Sequence, residues 1–323
     1  MELIRGLHNL RPRHRGCVAT IGNFDGVHLG HQAVLGQLAE KAAEFGLPMA
    51  VVTFEPHPQE FFAGAAAPPR LTRFREKVTA LQRFAVARVL CLRFDARLAA
   101  LEPEEFIRRV LLDGLAVRYL VVGDDFRFGA KRRGNFAMLE AAGRRHGFPV
   151  VHLPTFPIDG ERVSSTRIRE ALANGDLAGA EKLLGRPYRM RGRVAHGERR
   201  GRDIGFPTAN LHLHRHASPL RGVFAVQMFG VEGEPLPGVA NIGSRPTVGS
   251  ERILLEVHLL DYEGDLYGRH VAVDFLHHIR DERRFASLEA LTRQIEDDVA
   301  QARRLFARHE TDPGIGPGPG TRR

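Results

Sequence analysis

The stretch from Gly22 to His31, Gly-Asn-Phe-Asp-Gly-Val-His-Leu-Gly-His, constrains the fold of this chain more than any other feature. It follows a short apolar run, Val18–Ile21, that is typical of a buried strand, and precedes residues 32–45, whose apolar side chains recur at helical spacing. The stretch is therefore predicted to turn a strand into a helix. Because His28 and His31 are three residues apart, their imidazoles share one face at the helix start. The unpaired N–H groups and the dipole of that helix end favour a phosphate.

Two other interpretations of these histidines are surface polar residues and a metal pair. A metal pair is disfavoured because we find no third Cys, Asp or Glu ligand at a short fixed spacing. Three glycines favour a tight turn beneath a ligand, and Gly30 lacks the side chain that would keep a triphosphate from the backbone. The stretch resembles the HxGH signature of the nucleotidyltransferase superfamily, whose histidines hold the triphosphate of ATP. Nucleotide transfer is therefore the favoured hypothesis.

The length and composition indicate a two-domain protein of the cytoplasm. A chain of 323 residues can bury two cores, and its hydrophobic content of 43% argues against disorder. No apolar run is long enough to span a bilayer, and no signal-type apolar core follows the first charges. Cys17 and Cys91 are too few for a disulfide framework, and both lie in apolar runs, so we expect buried thiols in a reducing compartment.

The net charge of +9 leaves the class of ligand open. The basic residues are scattered along the chain and are nearly all arginine, whereas nucleic-acid-binding proteins concentrate them on one face or stripe. Small phosphorylated ligands explain the charge equally well. The charge alone therefore does not distinguish an enzyme of phosphorylated metabolites from a nucleic-acid-binding protein.

From Cys17 to about Leu184, short apolar runs alternate with longer amphipathic segments. The predicted strands are 18–21, 49–54, 88–94, 119–123 and 150–153, and the predicted helices are 32–45, 73–84, 103–113 and 136–146. This alternation predicts an α/β, Rossmann-like domain with a parallel sheet and helices on both faces. In such sheets ligands bind beyond the carboxyl ends of the strands, so we expect the site there.

Three further polar stretches follow predicted strands or lie at a helix start. Residues 53–58 (Thr-Phe-Glu-Pro-His-Pro) could form no more than a rigid turn. Residues 123–134 combine paired carboxylates, two phenylalanines and a basic cluster, as either a solvated loop or a stacking surface. In Ser164–Arg169, hydroxyls at a helix start are good caps, but they and Arg169 could also bind phosphate oxygens.

Beyond Gly185-Arg186-Pro187 the pattern changes to short β-like runs separated by turns. These runs cover 189–195, 223–229, 238–242, 253–260 and 270–276, and they predict a small antiparallel barrel. A terminal helix is expected from Ser287 to about Ala307, followed by a disordered Gly/Pro-rich tail. We thus predict domains at 1–185 and 186–310 and a tail at 311–323.

The second domain carries a candidate phosphate loop and a candidate base. Glycines flank the Arg-rich turn at 192–203, which could form a phosphate cradle. Thr208 and Asn210 alternate along an extended segment, and their neutral oxygens suit Mg²⁺. Glu256 lies in an apolar strand; burial would raise its pKa as a general base requires, but an outward-facing position is equally compatible. The run His212–His216 is expected to be a solvated turn that binds metal at most opportunistically.

These motifs, in this order, resemble the bacterial bifunctional riboflavin kinase/FAD synthetase family over about residues 15 to 305. The first half carries GNFDGVHLGH, TFEPHP, GDDFRFG and SSTRIR; the second carries GRDIGFPTANL, GVANIGSRPTV and LEVHLLDYEGDLYG. One departure is Phe224, where the family commonly has Tyr after Gly-Val; the ring remains.

The resemblance implies two reactions that use Mg²⁺: phosphorylation of riboflavin by ATP to FMN, and adenylylation of FMN by a second ATP to FAD. The residues it implies for catalysis are Glu256 as base in the first reaction, with His28, His31 and Arg169 in the second. The implied nucleotide-binding residues are Gly22, Phe24, Asp25, Gly30, Asp125, Ser164, Ser165, Thr166, Gly192, Gly197 and Arg202. The implied flavin contacts are His57, Phe126, Phe128, Arg245 and Phe285, and the implied metal ligands are Thr208 and Asn210.

Two other functions remain open at this point. One is a nucleotidyltransferase with a single activity, whose barrel is only a binding module. The other is an RNA-linked protein related to tRNA ligases, which would explain the basic charge. The barrel lacks an exposed aromatic series for base stacking, which disfavours the second. We expect small-molecule partners, no nucleic acid, no membrane and at most a weak homo-oligomer.

Overall fold

The computed structural model describes residues 1–154, 156–195, 204–231, 233–247 and 250–311, without the side chains of 244–247, 250–252 and 309–311. The chain forms two compact units. The first comprises residues 1–68 and 72–165, and the second comprises 69–71 and the chain from Thr166 onward.

The first unit is built on a sheet of six strands that are all parallel, which confirms the predicted α/β class. The strands are β1 (Glu2–Arg5), β2 (Cys17–Ile21), β3 (Met49–Glu55), β4 (Arg88–Arg93), β5 (Val117–Gly123) and β6 (Val150–Leu153). Their order in the sheet is β1-β4-β3-β2-β5-β6. The order reverses between β2 and β5, so the loop after β2 lies at the switch point where such sheets bind ligands.

Helices cover both faces of this sheet. They are α1 (Leu29–Phe45), α2 (Pro58–Ala63), α3 (Phe74–Gln82), α4 (Ala96–Ala99), α5 (Pro103–Phe106) and α6 (Phe136–His146). Short 3₁₀ turns cover Leu7–Asn9, Pro12–His14, Gly64–Ala66 and Ala130–Arg132, and a wider π-helical segment, Ile107–Gly114, continues α5. Alternate residues of β5 enter opposite cores: Leu120 and Val122 pack on one face, and Val121 on the other with Leu35 and Leu38 of α1.

The second unit is a closed barrel of six antiparallel strands, which confirms the predicted barrel. After the hairpin strands β7 (Pro157–Ile158) and β8 (Glu161–Arg162) of the first unit, its strands are β9 (Tyr188–Ala195), β10 (Ala209–His212), β11 (Gly222–Phe229), β12 (Leu236–Thr247), β13 (Ser250–Leu259) and β14 (His270–Arg280). Three helices, α7 (Ser165–Ala173), α8 (Leu177–Leu184) and α9 (Leu288–Thr311), complete the described chain.

The barrel has an apolar interior and a partly covered exterior. Leu211, Phe224, Ile242 and Leu255 are fully buried inside it. On the outer face, Ala302 of α9 packs in a cluster with Val223, Ala225, Val239 and Leu260. The side chains of Arg280 and Asp298 form a buried bidentate ion pair that anchors α9 to β14. The predicted terminal helix is thus confirmed, and it holds one side of the barrel.

Several boundaries differ from the predictions. Strand β10 begins at Ala209 and was not among the predicted strands, although Thr208 and Asn210 were expected on an extended segment. Strand β1 was missed because two of its four residues are charged. The compact barrel unit includes α8 and most of α7, whereas the predicted domain boundary places both helices before the barrel. That boundary stays a prediction, and the predicted tail lies outside the described residues beyond Thr311. Among the described helices, none has the length and apolar character needed to cross a bilayer.

Candidate functional sites

The predicted strand–turn–helix corner is present. Strand β2 ends at Ile21 and α1 begins at Leu29, with His28 as its N-cap. The Nδ1 atom of His28 accepts a hydrogen bond from the backbone N–H of His31 at 3.3 Å, and the two imidazoles stack with 3.7 Å between ring centroids. The prediction that both imidazoles share one face at the helix start is therefore confirmed.

A buried carboxylate fixes the loop that precedes these histidines. Asp25 is only 2% exposed, and its Oδ1 accepts hydrogen bonds from the backbone N–H and the hydroxyl of Thr72, at 2.9 and 3.1 Å. The Thr72 hydroxyl also accepts the N–H of Gly26 at 3.0 Å, and Ser165 donates to the backbone carbonyl of Asp25 at 2.9 Å. The Asp25 carboxylate thus holds loop backbone, and its contact with a nucleotide stays a prediction.

Two glycines of the loop meet different steric demands. Gly26 has a φ of 84°, which side chains rarely adopt. Gly30 has an ordinary backbone, but a Cβ there would lie 3.3 Å from the His28 ring and 3.6 Å from the carbonyl of Val163. Gly30 therefore allows close packing around the helix start. Phe24 lies buried beneath Gly22, where a Cβ would approach its ring to 3.0 Å.

His31 presents an unsatisfied polar atom in an electropositive setting. Its Nδ1 is buried and has no hydrogen-bond partner among the described residues. Burial lowers the pKa of His31 well below its usual value, and the charges of His28, Lys77 and Arg162 lower it further. The imidazole is therefore neutral near pH 7, and it can offer one donor and one acceptor to a ligand.

Lys77 and Arg162 were missed in the sequence. Lys77 is 2% exposed on α3, and Arg162 lies on β8, where its Nη2 pairs with Oδ2 of Asp125 at 2.7 Å. Both cations lower the pKa of His31, so both add positive potential to the site, as a polyphosphate requires. Asp125, a predicted nucleotide contact, is thus an ion-pair partner of Arg162. In the sequence, Lys77 is distinguished only by its position in an amphipathic helix, which does not indicate a role in the site.

Aromatic rings lie at the same edge of the sheet, after β3 and β4. Phe94 contacts Phe54, Phe61 and Phe62 edge-on, with 5.5 to 5.9 Å between ring centroids. Phe62 is 70% exposed, although a ring of this size is usually buried. We call Phe54, Phe61, Phe62 and Phe94 the aromatic cluster. His57, a predicted flavin contact, caps α2, which carries Phe61 and Phe62.

The other predicted aromatic contacts are less exposed. Phe126 and Phe128 stack with 5.6 Å between ring centroids, but Phe128 is 5% exposed and belongs to the core of the sheet. Phe126 is only partly buried and packs against that core. A flavin contact by either ring therefore stays a prediction, and in the structure Phe128 packs in the core.

The start of α7 contains the remaining predicted phosphate contacts of the first half. Ser165 is the first residue of the helix, and Ser164 immediately precedes it. Thr166 is exposed, and the Nε of Arg169 donates to the carbonyl of Pro69 at 2.7 Å. Arg169 therefore has a backbone partner, and its role with phosphate stays a prediction.

In the barrel, three polar side chains form a row on the outer face. Glu256 of β13 is directly opposite Asn210 of β10 on one side and Asn241 of β12 on the other. The neighbours of Glu256 along the strand, Leu255 and Val257, are buried inside the barrel. Because side chains alternate along a strand, Glu256 faces outward and is only partly buried. Asn241 was missed, since nothing in the sequence pairs it with Glu256.

Thr208 and Asn210 fit a magnesium ion by their chemistry. The Nδ2 of Asn210 donates to the backbone carbonyl of Thr208 at 3.5 Å, so the amide oxygen lies on the other edge of the group. Both side chains supply neutral oxygens, which Mg²⁺ accepts when substrate phosphates and water complete its shell. In the described part of the chain, no three His, Cys, Asp or Glu side chains form a metal-binding group.

Comparison with known proteins gives a family for both halves. Residues 10–167 match the model of the FAD synthetase family, and residues 184–306 match that of the riboflavin kinase family. The chain is 56% identical to the bifunctional riboflavin kinase/FMN adenylyltransferase of Pseudomonas fluorescens and 54% identical to that of Escherichia coli K12. Each alignment covers 95% of this chain and 98% of the relative.

The chain belongs to the bifunctional riboflavin kinase/FMN adenylyltransferase family.

This family assignment confirms the resemblance inferred from the motifs, and with it the expectation of a flavin-cofactor enzyme that combines two activities. The FAD synthetase match contains the Gly22–His31 loop, and the riboflavin kinase match contains the row around Glu256. A solved structure described as a macrolide-efflux protein from Streptococcus pneumoniae aligns with a TM-score of 0.80 at 30% identity. The alignment covers 94% of this chain and 99% of that one, so the two chains share their fold over nearly their whole length.

Some predicted residues of the kinase half cannot be placed in the site. Gly197 and Arg202 lie outside the described residues, as does the side chain of Arg245. Gly192 lies in β9, where a Cβ would come within 3.1 Å of Leu211, so it allows close packing of β9 on β10. Phe285 lies beneath the guanidinium groups of Arg280 and Arg283, which are 5.6 and 5.0 Å from its ring centroid.

The His212–His216 run is only partly the solvated turn that was expected. His214 and His216 are exposed, but His212 belongs to β10 and Arg215 is buried. The Nη1 of Arg215 donates to the carbonyl of Arg70 at 2.7 Å and to the hydroxyl oxygen of Tyr188 at 3.2 Å. The expectation was wrong for Arg215 because alternation along the extended chain turns every second residue inward.

Proposed function

We propose that this chain makes FAD from riboflavin in two steps, one in each unit. In the barrel, ATP phosphorylates riboflavin to FMN and ADP is released. In the first unit, the phosphate of FMN attacks the α-phosphate of a second ATP, and pyrophosphate leaves. The observation that carries the proposal is the pairing of two separate sites in one chain: stacked histidines at a helix N-terminus, and a carboxylate between two amides on a barrel face.

Adenylyl transfer needs positioning and positive potential rather than a covalent intermediate. The N–H groups at the start of α1 and the His28–His31 pair would bind the triphosphate, while Lys77 and Arg162 supply charge. Because His31 is neutral, it would act as a hydrogen-bond donor or acceptor and not as a cation. Ser164, Thr166 and Arg169 would contact the phosphates from the start of α7.

The aromatic cluster is the better candidate for the flavin ring in this unit. Its members Phe61 and Phe62 are exposed and follow β3, and β3 is the neighbour of β2 in the sheet. Phe62 offers a ring face to solvent, whereas Phe128 is buried. Stacking on aromatic rings contributes about 0.5 to 1.5 kcal/mol beyond the buried area. Truncation of Phe62 is therefore expected to weaken FMN binding more than truncation of Phe126.

In the barrel, Glu256 would accept the proton of the ribityl 5′-hydroxyl as its oxygen bonds to the γ-phosphorus. The bond from that phosphorus to the β-phosphate oxygen breaks, and ADP leaves. Thr208 and Asn210 would hold Mg²⁺, which neutralises charge on the phosphates when it is bound. The partly buried, outward position of Glu256 keeps the carboxylate accessible to a hydroxyl from solvent.

The two assignments can be separated by two variants and two assays. Glu256→Gln keeps the shape of the side chain but cannot accept the proton, so FMN formation should fall about a hundredfold or more. Adenylylation of supplied FMN should be unchanged. His31→Ala should give the reverse result, with FAD formation reduced about a hundredfold. Chromatography of both products measures each step, and equal loss of both activities in either variant would refute the two-site proposal.

We also propose the predicted division into domains 1–185 and 186–310, and the structure suggests how to test it. Helix α8 buries Leu177, Ala180, Leu183 and Leu184, and it belongs to the compact unit of the barrel. Fragments 166–311 and 187–311 can be compared for riboflavin phosphorylation and thermal stability. If the predicted boundary is correct, both fragments fold and phosphorylate riboflavin; if α8 is part of the barrel domain, only the longer one does.

The proposed partners are small molecules, without nucleic acid, and the proposed location is the cytoplasm. Cys17 and Cys91 are free and buried, which agrees with a reducing compartment. Burial raises the pKa of the Cys17 thiol to about 12 and also raises the pKa of Cys91. Any homo-oligomer is proposed to be weak, so sedimentation velocity at micromolar concentration should show mainly monomer.

A further inference from the structure

The outer-face row of the barrel contains one polar side chain to which no role has been assigned. Asn241 lies on β12 directly opposite Glu256, and its Oδ1 is buried without a hydrogen-bond partner among the described residues. A buried acceptor that lacks a partner is destabilising and rare in folded proteins, so such an atom in an enzyme calls for an explanation, of which a ligand contact is one.

The order of the three side chains in the row indicates which substrate the amide oxygen of Asn241 would contact. β13 lies between β10 and β12, so Asn210 and Asn241 are on opposite sides of Glu256. The proposed metal ligands, Thr208 and Asn210, place the ATP phosphates on the β10 side. An attacking hydroxyl must lie between its base and the γ-phosphate, so the rest of the acceptor molecule extends away from ATP, over β12.

The chemistry of the ribityl chain matches an unpaired acceptor. Each carbon that carries a hydroxyl offers an O–H donor, and an amide oxygen accepts it without placing a second negative charge beside Glu256. Directly opposite residues on antiparallel strands have Cβ atoms about 5 Å apart, which lets one polyol contact both side chains. Gly243, two residues further on the same face, has no side chain, and the Glu282 carboxylate occupies the space a Cβ would need.

We propose that Asn241 is a substrate-binding residue of the kinase site, whose amide oxygen accepts a hydrogen bond from a ribityl hydroxyl and so orients the 5′-hydroxyl toward Glu256. This inference rests on the proposed kinase function of the barrel. It adds a contact on the acceptor side, where the sequence analysis assigned none on β12 apart from Arg245.

The test uses the full chain with Asn241→Ala and the matched amide removal Gln227→Ala. Gln227 lies on the same outer face, on β11, where it pairs in register with Pro237 and Asp274 away from Glu256. Steady-state kinase assays give kcat and KM for riboflavin and for ATP. Lumiflavin, which has the isoalloxazine ring but no ribityl chain, serves as a competitive inhibitor whose Ki reports on the ring alone.

For Asn241→Ala we expect kcat/KM for riboflavin to fall roughly 5- to 30-fold, the range of one lost hydrogen bond. The KM for ATP and the Ki of lumiflavin should stay within about twofold, and Gln227→Ala should resemble the wild type on every measure. Asn241→Ser, which keeps a hydroxyl oxygen, should lose less. Thermal unfolding monitored by circular dichroism, compared with the wild type, verifies that the barrel of each variant is folded.

Three results would overturn the inference. Unchanged riboflavin kinetics would mean that Asn241 does not touch the substrate. A rise in the KM for ATP or in the Mg²⁺ requirement alone would place Asn241 on the nucleotide side. An equal rise in the Ki of lumiflavin would assign the effect to the ring or to the fold. A wild-type chain without kinase activity would instead refute the proposed function, and this inference with it.

Discussion

The two proposed nucleotide sites are built in opposite ways. In the first unit, the site is a loop whose backbone must be held in place: Asp25 and Thr72 fix it from inside, and Gly26 supplies a backbone conformation that other residues rarely adopt. In the barrel, Glu256 and its neighbours project from strands that the ladder of hydrogen bonds already fixes. The first site thus depends on buried polar contacts, whereas the second depends on side chains that the fold does not need.

This difference has a consequence for mutational data. Substitutions in the loop should reduce activity and stability together, because the same groups support both. Substitutions in the row should reduce activity alone. The pattern of coupled and uncoupled effects, rather than the size of either, therefore distinguishes the two kinds of site.

The largest expected effect is that of Asp25→Ala. Removal of the carboxylate leaves the buried groups of Thr72 without their acceptor, and hydrogen bonds to a charged group contribute about 1.5 to 3 kcal/mol each. We expect the free energy of unfolding to fall by about 3 kcal/mol and FAD synthesis by about a hundredfold. Urea denaturation and product chromatography measure the two, with exposed Asp113→Ala as the control. Lost activity at unchanged stability would contradict the structural role.

Asn210→Ala should show the uncoupled pattern. Its amide is proposed to contact Mg²⁺, so kinase kcat/KM should fall roughly tenfold or more and the Mg²⁺ concentration for half-maximal rate should rise. The free energy of unfolding should change by less than about 1 kcal/mol, since among the described residues the Asn210 amide makes one long hydrogen bond, to the carbonyl of Thr208. Kinase assays over a range of Mg²⁺ concentrations test this. A stability loss as large as that of Asp25→Ala would remove the contrast between the sites.

Gly30→Ala tests how closely the loop packs. The added methyl group would lie 3.3 Å from the His28 ring, so we expect a several-fold loss of FAD synthesis, with FMN formation unchanged. Gly36 on the same helix is exposed and has open space around it, so Gly36→Ala should leave activity intact. It should also stabilise α1 by about 0.5 to 1 kcal/mol, as expected for Ala in a helix. Equal effects of the two substitutions would show that helix propensity, not the His28 contact, matters.

His31 should make the stability of the chain depend on pH in a defined window. Its pKa is lowered on folding, so the unfolded chain binds more protons once the pH falls below about 6.5. Stability should therefore decrease from pH 7 toward pH 5, by at most about 1.4 kcal/mol per pH unit from this group, and be unaffected above pH 7.5. His31→Gln should flatten that dependence in thermal unfolding, whereas the exposed His146→Gln should not. Parallel curves for His31→Gln and the wild type would contradict the burial of this imidazole.

The sequence predicted those parts of the structure that depend on local pattern. Helix α6 and strand β6 have the predicted bounds, because Asn135 caps the helix, Gly147 ends it and the apolar periodicity is clear. His28 and His31 were found for the same reason, since three residues of helix bring them together. In the barrel, the strand pattern located Glu256 but could not decide which face it occupies.

The missed residues all act through contacts distant in sequence. Thr72 is 47 positions from Asp25, to which it donates a hydrogen bond, and no local sequence pattern predicts that pair. Lys77 and Arg162 reach His31 from α3 and β8, and Asn241 meets Glu256 only through the register of β12 and β13. The aromatic cluster was missed because two of its four members lie on α2, a short helix for which the sequence analysis made no prediction.

Because both thiols are buried, the folded chain should react little with thiol-specific labels. With the pKa of Cys17 near 12 and that of Cys91 also raised, neither should react with maleimides while the chain is folded. The chain also contains no tryptophan. A single cysteine placed at an exposed position, or a tryptophan in place of Phe62, would therefore report its own surroundings without background. The native sequence is therefore well suited to fluorescence measurements that use a single introduced cysteine or tryptophan.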